Sequence, residues 1–426
     1  MSVRLSSAAL AALALGLSGA AAAQVADPVV FQFSTVGDTR GAIGTPSLTA
    51  APGTPLFQQD SVWAMNTKAF ARILRTVQAQ KSNMMFVNGD LILGYGDALV
   101  PTASNATVGL TVADVAGSDL MAFYKQYGFW RGMVANMMET GTYMVPVPGN
   151  HETQWNHKVA GVTTKTAMVE NENAWRANMT DLILDQSRLG TMFSDWSSAA
   201  SSFSQYVVNP AAVPPVLPAT ANINGQSYTD QITTDQSGLT YSFDFRGIHF
   251  AIINTDATGW DTHAPIAWLA NDLSAAQARG AKQFFVFGHK PAYTYDYSVN
   301  MPAGTAAVTG AGLDAATDTT LCGTATCSRD LFWSLIETYR ATYFSGHEHT
   351  YNSVQPTKAT GGSAWQFLVG GGGSAFDPPA TDTKASDRMY SWSTVQVRQS
   401  GAITVTSYGF GPTFGPTTVI DQVKVQ

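Results

Sequence analysis

The sequence predicts an α/β layered domain built on a sheet of mixed direction, and three observations carry that expectation. Five short apolar runs, each ending in glycine and polar residues, are spread along the chain: VVFQFSTVGDTR (29–40), NMMFVNGD (83–90), TYMVPVPGNHE (142–152), KQFFVFGHK (282–290) and ATYFSGHEH (341–349). Near-continuous hydrophobic stretches of this kind suit strands buried on both faces. Segments of helical periodicity lie between them, and strands alternating with helices build layered α/β domains. LTYSFDFRGIHFAIINTD (239–256) instead reads as two adjacent strands joined by a turn at Arg246-Gly247, which makes the sheet mixed.

Taken in order, the chain of 426 residues opens with MSVRLSSAALAALALGLSGAAAAQVADP. Arg4 supplies a positive n-region, Ala8 to Leu17 a short apolar stretch, and Ala21-Ala22-Ala23 a small-residue cleavage pattern. Residues 1–23 are expected to be a signal peptide and Gln24 the mature start. A membrane anchor is the alternative, and the shortness of the apolar stretch weighs against it. No later segment approaches ~18 uninterrupted apolar residues, so no stable membrane insertion is expected after cleavage. The product is expected to be exported, periplasmic or secreted.

After the first strand run, NTKAFARILRTVQAQ (66–80) places Phe70, Ile73, Leu74 and Val77 on one helical face. Residues 264–280 set Pro265 near the first turn of a helix and Gly280 at its end. Ser328 is the expected N-cap of RDLFWSLIETYR. Three stretches, 97–118, 153–237 and 293–327, are rich in Ala, Thr, Ser, Asn and Pro and fit this rhythm poorly. Loops this long wall a site or decorate a surface. Cys322 and Cys327 are the only two cysteines. In an oxidising compartment so near a pair is expected to close a small disulfide loop, with free thiols as the alternative. Without nearby histidines they make a poor zinc site.

Composition narrows the partners. The hydrophobic fraction of 45% is ordinary, while the charged fraction of 12% is low, about half the usual share. Net charge is −7 and no basic run stands out, which argues against a nucleic-acid partner, since phosphate-backbone binding needs clustered Lys and Arg.

The polar residues at the five strand ends form a constellation: Asp38, Asp90, Asn150 with His151, His289, and His347 with His349. Ligands of open α/β sheets bind outside the carboxyl ends of the strands, so these residues are expected to converge. In an extended segment His347 and His349, two apart, would point to one side. Singly, Asp38, Asp90 and Asn150 read equally well as caps or turn residues. Yet four of the chain's seven histidines sit at these glycine-preceded ends. His157, His249 and His263 lie outside the pattern and are read as structural or surface residues. Carboxylate and amide oxygens with imidazole nitrogens suit first-row divalent or trivalent metals such as Mn, Fe or Zn. A carboxylate can bridge two such ions held about 3.5–4 Å apart.

The series GDTR, GDLILGYGD, GNHE, FGHK and GHEH resembles the calcineurin-like metallophosphoesterase superfamily. YSFDFRGIHFAIINTD, Val286 three residues before His289, and GHEH are similar to its purple-acid-phosphatase-like branch. The resemblance covers roughly residues 29–375. It implies a four-layered α-β-β-α sandwich around two metal ions, with residues 24–426 as one catalytic domain carrying long loop insertions. Carried over, Asp90 would bridge the metals, Asp38 and His349 would bind the first, and Asn150, His289 and His347 the second. His151 would touch phosphate and help protonate the leaving group. WQFLVGGGGSAFDPP (365–379) resembles the family's late strand and glycine turn near the metals.

Two departures stand out. Most members have a histidine two residues after the first Asp, where this chain has Arg40. The purple enzymes have a tyrosine three residues after the second Asp, where this chain has Leu93, with Tyr95 two further on. Arginine has no lone pair to offer a metal, so the first site is expected to be the weaker, completed by water or Tyr95. Arg40 is expected instead to hold phosphate oxygens. The implied activity is that of a metal-dependent phosphoric ester hydrolase acting through metal-activated hydroxide on a small phosphate ester, a monoester by the resemblance to acid phosphatases. A phosphodiesterase with the same site, or a catalytically weak phosphate-binding member, is the alternative.

Mass spectrometry of protein recovered from the host's envelope should find a mature start near Gln24, with Cys322 and Cys327 closed to alkylation until reductant is added. An intact Met1, or two thiols that alkylate at once, contradicts the reading of export.

Overall fold

The structure, a computed structural model, describes residues 27–41, 61–62, 65–102, 110–183, 203–295, 327–377 and 384–426. The expected signal peptide, the expected Cys322–Cys327 pair and most of 293–327 lie outside the described residues.

The five apolar runs are strands, each ending just before its glycine and polar residues. Val29–Val36, Met84–Asn88 and Tyr143–Val147 belong to a six-stranded sheet and Gln283–Phe287 and Thr342–Ser345 to a seven-stranded one. In the first sheet the order is Thr418–Lys424, Ile403–Phe410, Tyr390–Arg398, Val29–Val36, Met84–Asn88, Tyr143–Val147. Val29–Val36, Met84–Asn88 and Tyr143–Val147 are parallel to one another, and the other neighbours are antiparallel. In the second sheet Ile248–Ile252, Gln283–Phe287, Thr342–Ser345 and Trp365–Val369 form a parallel centre. Antiparallel strands flank it on both sides. Both sheets are therefore mixed. The turn expected at Arg246-Gly247 is there, with φ of 52° and 74°, the left-handed pair that a two-residue hairpin needs to match strand twist.

Apolar side chains gather in three clusters. One joins residues of both sheets, among them Phe31, Phe33, Phe86, Phe250, Phe285 and Phe344. Phe33 meets Phe86 of its own sheet at 5.2 Å and Phe285 of the other at 4.9 Å, both edge to face, a geometry aromatic pairs prefer. The second cluster packs the first sheet against Thr67–Gln80, Asp119–Glu139 and Val169–Met179. The third packs the second sheet against Ile266–Arg279 and Cys327–Thr338.

Thr67–Gln80 buries the predicted Phe70, Ile73, Leu74 and Val77, and starts where the Asn66 side chain accepts the Ala69 N–H at 3.1 Å. Ile266–Arg279 ends at Gly280, whose φ of 102° is the left-handed stop that glycine permits. The expected cap at Ser328 is corrected: the helix already includes Cys327, so Ser328 lies inside its first turn. Local propensity places a helix end only to within a residue or two. Part of the expected long loop 153–237 is ordered structure. It contains the hairpin Gln154–Val159/Val162–Ala167 and the helix Val169–Met179. No helix of the described residues is long and apolar enough to cross a membrane.

One polar cluster ties a helix to the second sheet. Buried His249 joins Asp244 through Nδ1 at 2.6 Å and Asp272 through Nε2 at 2.9 Å. Arg279 donates to Asp244 at 2.6 Å, and Ser242 to Asp272 at 2.7 Å. Burial disfavours charge on His249, but the flanking carboxylates of Asp272 and Asp244 outweigh it and raise the imidazole to about 9. A raised folded pKa contributes stability that is full below the unfolded value and lost as pH climbs through the folded one. Histidine-resolved NMR should therefore find His249 protonated above neutrality, and denaturant unfolding should show stability falling between pH about 6.5 and about 9. A His249 that titrates below 6.5 contradicts this.

Candidate metal centre

The ends of the strands from both sheets meet at one place, and backbone hydrogen bonds lock them there. Gly37 N donates to the Val369 carbonyl of the other sheet at 2.7 Å, Asp38 N to Gly89 at 3.0 Å, and Gly346 N to His289 at 2.8 Å. The chains approach too closely for side chains at some points. At Gly89, with φ of 79°, an added Cβ would run into the His289 ring and lie 2.8 Å from the Gly149 Cα. At Gly149 it would lie 2.6 Å from Asp90 Oδ1. Asp38, Asp90 and His347 are non-glycine residues with φ of 58°, 55° and 76°. Such residues cost of order 1–3 kcal/mol each and persist where surrounding structure forces them. Here they turn side chains inward.

Four atoms form a tight set. His289 Nε2 is 3.1 Å from Asp90 Oδ1, 2.8 Å from Asn150 Oδ1 and 3.1 Å from His347 Nδ1, and Asn150 Oδ1 is 2.9 Å from His347 Nδ1. Ligands about 2.1 Å from an octahedral metal are about 3.0 Å apart along an edge. The set has that spacing. Its imidazoles are oriented from behind. His289 Nδ1 donates to the Asn88 carbonyl at 2.8 Å, which aims Nε2 at the set. Asn150 Nδ2 bonds the Tyr95 hydroxyl, which leaves Oδ1 inward. The chemistry and spacing of these donors fit a first-row metal.

Beside this set lie Asp38, Asp90 and His349, whose ligand atoms fall within 4.8 Å of one another. His349 Nε2 is 3.5 Å from Asp38 Oδ1. Asp38 Oδ1 is buried without a hydrogen-bond partner among the described residues, while Oδ2 accepts the His347 N–H at 2.8 Å. Arg40 reaches into this second group. Its Nε donates to Asp90 Oδ2 at 3.2 Å and its Nη2 meets His349 Nε2 at 3.2 Å.

Electrostatics follow from burial and crowding. Burial alone would raise Asp90, but His151, His289 and Arg40 hold it well below the usual carboxylate range. Burial opposes charge on His289 as well, and Asp90 and Asp38 overcome it to bring the imidazole to about 9. A proton on His289 thus does part of the work a metal would do, and metal uptake would release it. Burial and the His289 charge hold His347 low and neutral, with its lone pair available. Burial pushes Asp38 up. At His349, burial disfavours the proton, whereas Asp38 draws one to the ring and raises it. Arg40 donates to the same nitrogen at shorter range. Nε2 cannot serve both. With Nδ1 donating to the Ala375 carbonyl at 2.6 Å, we read His349 as the neutral tautomer whose Nε2 lone pair faces Arg40.

His151 sits at the edge of the set. Its Nδ1 donates to the Leu93 carbonyl, and Nε2 faces Asp90 Oδ2 at 3.6 Å. Burial holds its pKa well down despite Asp90. Leu93 meets His151 through its backbone carbonyl, while its N–H donates to Gln126 Oε1 at 2.8 Å. Of the two candidates for completing the Asp38–His349 group, water and Tyr95, Tyr95 is turned to Asn150 instead. With φ of 62° it turns the other way, puts its hydroxyl on Asn150 and lays its ring on His151, centroids 3.6 Å apart. The glycine turn after Trp365–Val369 packs on the Asp38 loop, with Gly372 N donating to Gly37 and Ser374 N to Asp38. His157 stacks on Trp155, and His263 lies edge-on against Trp260.

Two residues escaped sequence reasoning. Buried Glu152 accepts the backbone N–H groups of Asp90, Ile92 and Gly149 at 2.9, 3.0 and 2.8 Å and so holds the two central loops together. Burial, with Asp90 nearby, pushes it up to about 7. Its place in GNHE was visible, but a carboxylate that points at backbone has no sequence signature. Lys165, on the Gln154–Ala167 hairpin, holds its ammonium 4.6 Å over the Tyr95 ring, where Asp90 and Arg40 both act on its charge. Only the ordering of that hairpin brings it there.

No protein-family model matches the chain, and no curated protein matches it in sequence. Among solved structures, a purple acid phosphatase from yellow lupin (Lupinus luteus) seeds aligns at 12% identity over 92% of this chain and 53% of its own, with a TM-score of 0.49. The chain thus spans about half the length of that protein. A dimetal phosphatase from Danio rerio aligns at 10% identity over 92% of this chain and 99% of its own, with a TM-score of 0.36.

Proposed function

We propose that the chain is a metal-dependent phosphoric ester hydrolase of the calcineurin-like metallophosphoesterase kind, acting on phosphate monoesters after export. The observation that carries this reading is the four-atom set of Asp90 Oδ1, Asn150 Oδ1, His289 Nε2 and His347 Nδ1, spaced like edges of a coordination sphere where two sheets meet. Three apolar clusters, one between the sheets and two against helices, support the four-layered α-β-β-α arrangement that goes with it.

An Fe, Mn or Zn ion bound there supplies a Lewis acid for phosphoryl oxygens and a water of lowered pKa. Asp90, Asn150, His289 and His347 would hold it. The chain's own residues do the rest. Arg40 presents a forked donor to the phosphate, with its side chain 12% exposed beside Asp90. Lys165 adds a second cation at the rim, which suits the double negative charge of a monoester. His151 starts neutral, and the arriving anion raises its pKa so that Nε2 takes up a proton. Water adds its oxygen to phosphorus and releases one proton to solvent, the bond from phosphorus to the organic oxygen breaks, and the His151 proton passes to that departing oxygen, which leaves His151 neutral again. The products are an alcohol and inorganic phosphate.

With 4-nitrophenyl phosphate and an alkyl phosphate as substrates, chelator should abolish hydrolysis and added metal restore it. Asp90→Ala should remove activity. His151→Ala should keep its metal but lose about 10²–10⁴-fold in rate, the usual contribution of a general acid, with the larger loss on the alkyl leaving group. Turnover that survives chelation, or a His151→Ala enzyme at full rate on the alkyl ester, contradicts the assignment.

A further inference from the structure

We propose that Arg40 stands in for the first metal, so that the centre holds one metal ion and one guanidinium rather than two ions. The proposal rests on the metal-binding reading above and goes beyond it, because it sets the number of ions and assigns the second positive charge to the protein itself.

The geometry points to this substitution. The atoms that would hold a first ion are Asp38 Oδ1, Asp90 Oδ2 and His349 Nε2. Arg40 already holds two of them, at 3.2 Å through Nε and 3.2 Å through Nη2. His349 Nε2 has one lone pair, because Nδ1 carries the hydrogen given to the Ala375 carbonyl. That lone pair can accept an Arg40 N–H or bind a metal, but not both. The guanidinium cannot become a ligand, since it stays protonated and has no lone pair of its own.

Arg40 is also built in rather than draped over the site. Its backbone N–H donates to the Asp90 carbonyl at 3.2 Å, its carbonyl accepts from Ser374 Oγ at 3.3 Å, and it pairs with Met65 in an isolated β-bridge. The side chain therefore starts from a fixed point one residue beyond Thr39 and enters a pocket closed by Asp90 and His349. The other set needs no such rearrangement. Among the described residues the Arg40 side chain hydrogen-bonds Asp90 and His349 and not Asn150, His289 or His347, whose donor atoms already lie at metal-ligand spacing. Asp38 Oδ1, without a hydrogen bond among the described residues, is the remnant of the first pocket. It explains why that pocket should accept an ion again once the guanidinium is removed.

The test is stoichiometry. Metal-stripped protein is titrated calorimetrically with Mn²⁺, and loaded protein is dialysed and analysed for bound metal and by electron paramagnetic resonance. The wild type should bind one equivalent and give the spectrum of an isolated Mn²⁺ ion. Arg40→His should bind two equivalents and give a spin-coupled spectrum. Arg40→Ala, which frees the same lone pair without adding a ligand, should bind a second equivalent more weakly than Arg40→His. Two equivalents in the wild type overturn the proposal, and that measurement stands even where a variant fails to fold. No bound metal in the wild type overturns both this proposal and the metal-dependent function beneath it. One equivalent in all three proteins overturns the role given to Arg40.

Discussion

The centre depends on one buried carboxylate. Asp90 is 1% exposed, and its two oxygens face different neighbours. Oδ1 accepts the His151 backbone N–H at 3.2 Å and faces His289 Nε2 at 3.1 Å. Oδ2 faces Arg40 Nε at 3.2 Å. An ionised carboxylate without such partners could not stay charged in a protein interior. Removing one partner from a buried pair commonly costs about 3–5 kcal/mol. The surrounding structure makes sense as provision for this charge. Gly89 and Gly149 let backbone come close, Glu152 pins the Asp90 and Gly149 loops through their N–H groups, and the left-handed backbone at Asp90 aims the carboxylate at the line where two sheets meet.

That line also explains why the candidate residues come from five separate segments. Parallel strands bring their carboxyl ends to the same edge, so residues two to four positions past the strand ends face a common space. In this chain two sheets share the edge, joined by the Gly37 to Val369 hydrogen bond. Asp38 and Asp90 arrive from one sheet, His289, His347 and His349 from the other, and Asn150 and His151 from the turn after Tyr143–Val147. The Gln154–Ala167 hairpin follows that turn directly and carries Lys165 over Tyr95. An ordered insertion thus reaches the mouth of the centre from the same loop that supplies two of its residues.

Much of this was legible in the sequence, because strand ends with glycine are a local signal. The runs ending at Gly37, Gly89, Gly149, Gly288 and Gly346 all became strands, and the Arg246-Gly247 turn appeared where expected. Pairing was not legible. No periodicity says that Val29–Val36 lies between Met84–Asn88 and Tyr390–Arg398, residues far apart along the chain. Helix starts were only approximate, as Ser328 illustrates. At the site the residue types were visible but their second partners were not. The direction of Tyr95 depends on a left-handed φ that nothing in GYGD announces. The low pKa of His151 depends on burial by neighbours distant in sequence. The contact of Arg40 with His349 spans most of the chain. These properties belong to the tertiary arrangement, and only it could supply them.

The position of a bound metal is the property on which the centre's chemistry depends. Crystals grown with Mn²⁺ or Zn²⁺, with anomalous data collected at that metal's absorption edge, would locate the ion directly. The predicted result is a peak enclosed by Asp90 Oδ1, Asn150 Oδ1, His289 Nε2 and His347 Nδ1, each about 2.0–2.2 Å from it. Fully loaded crystals with no peak among those four atoms, or with their strongest peak elsewhere on the chain, would contradict it.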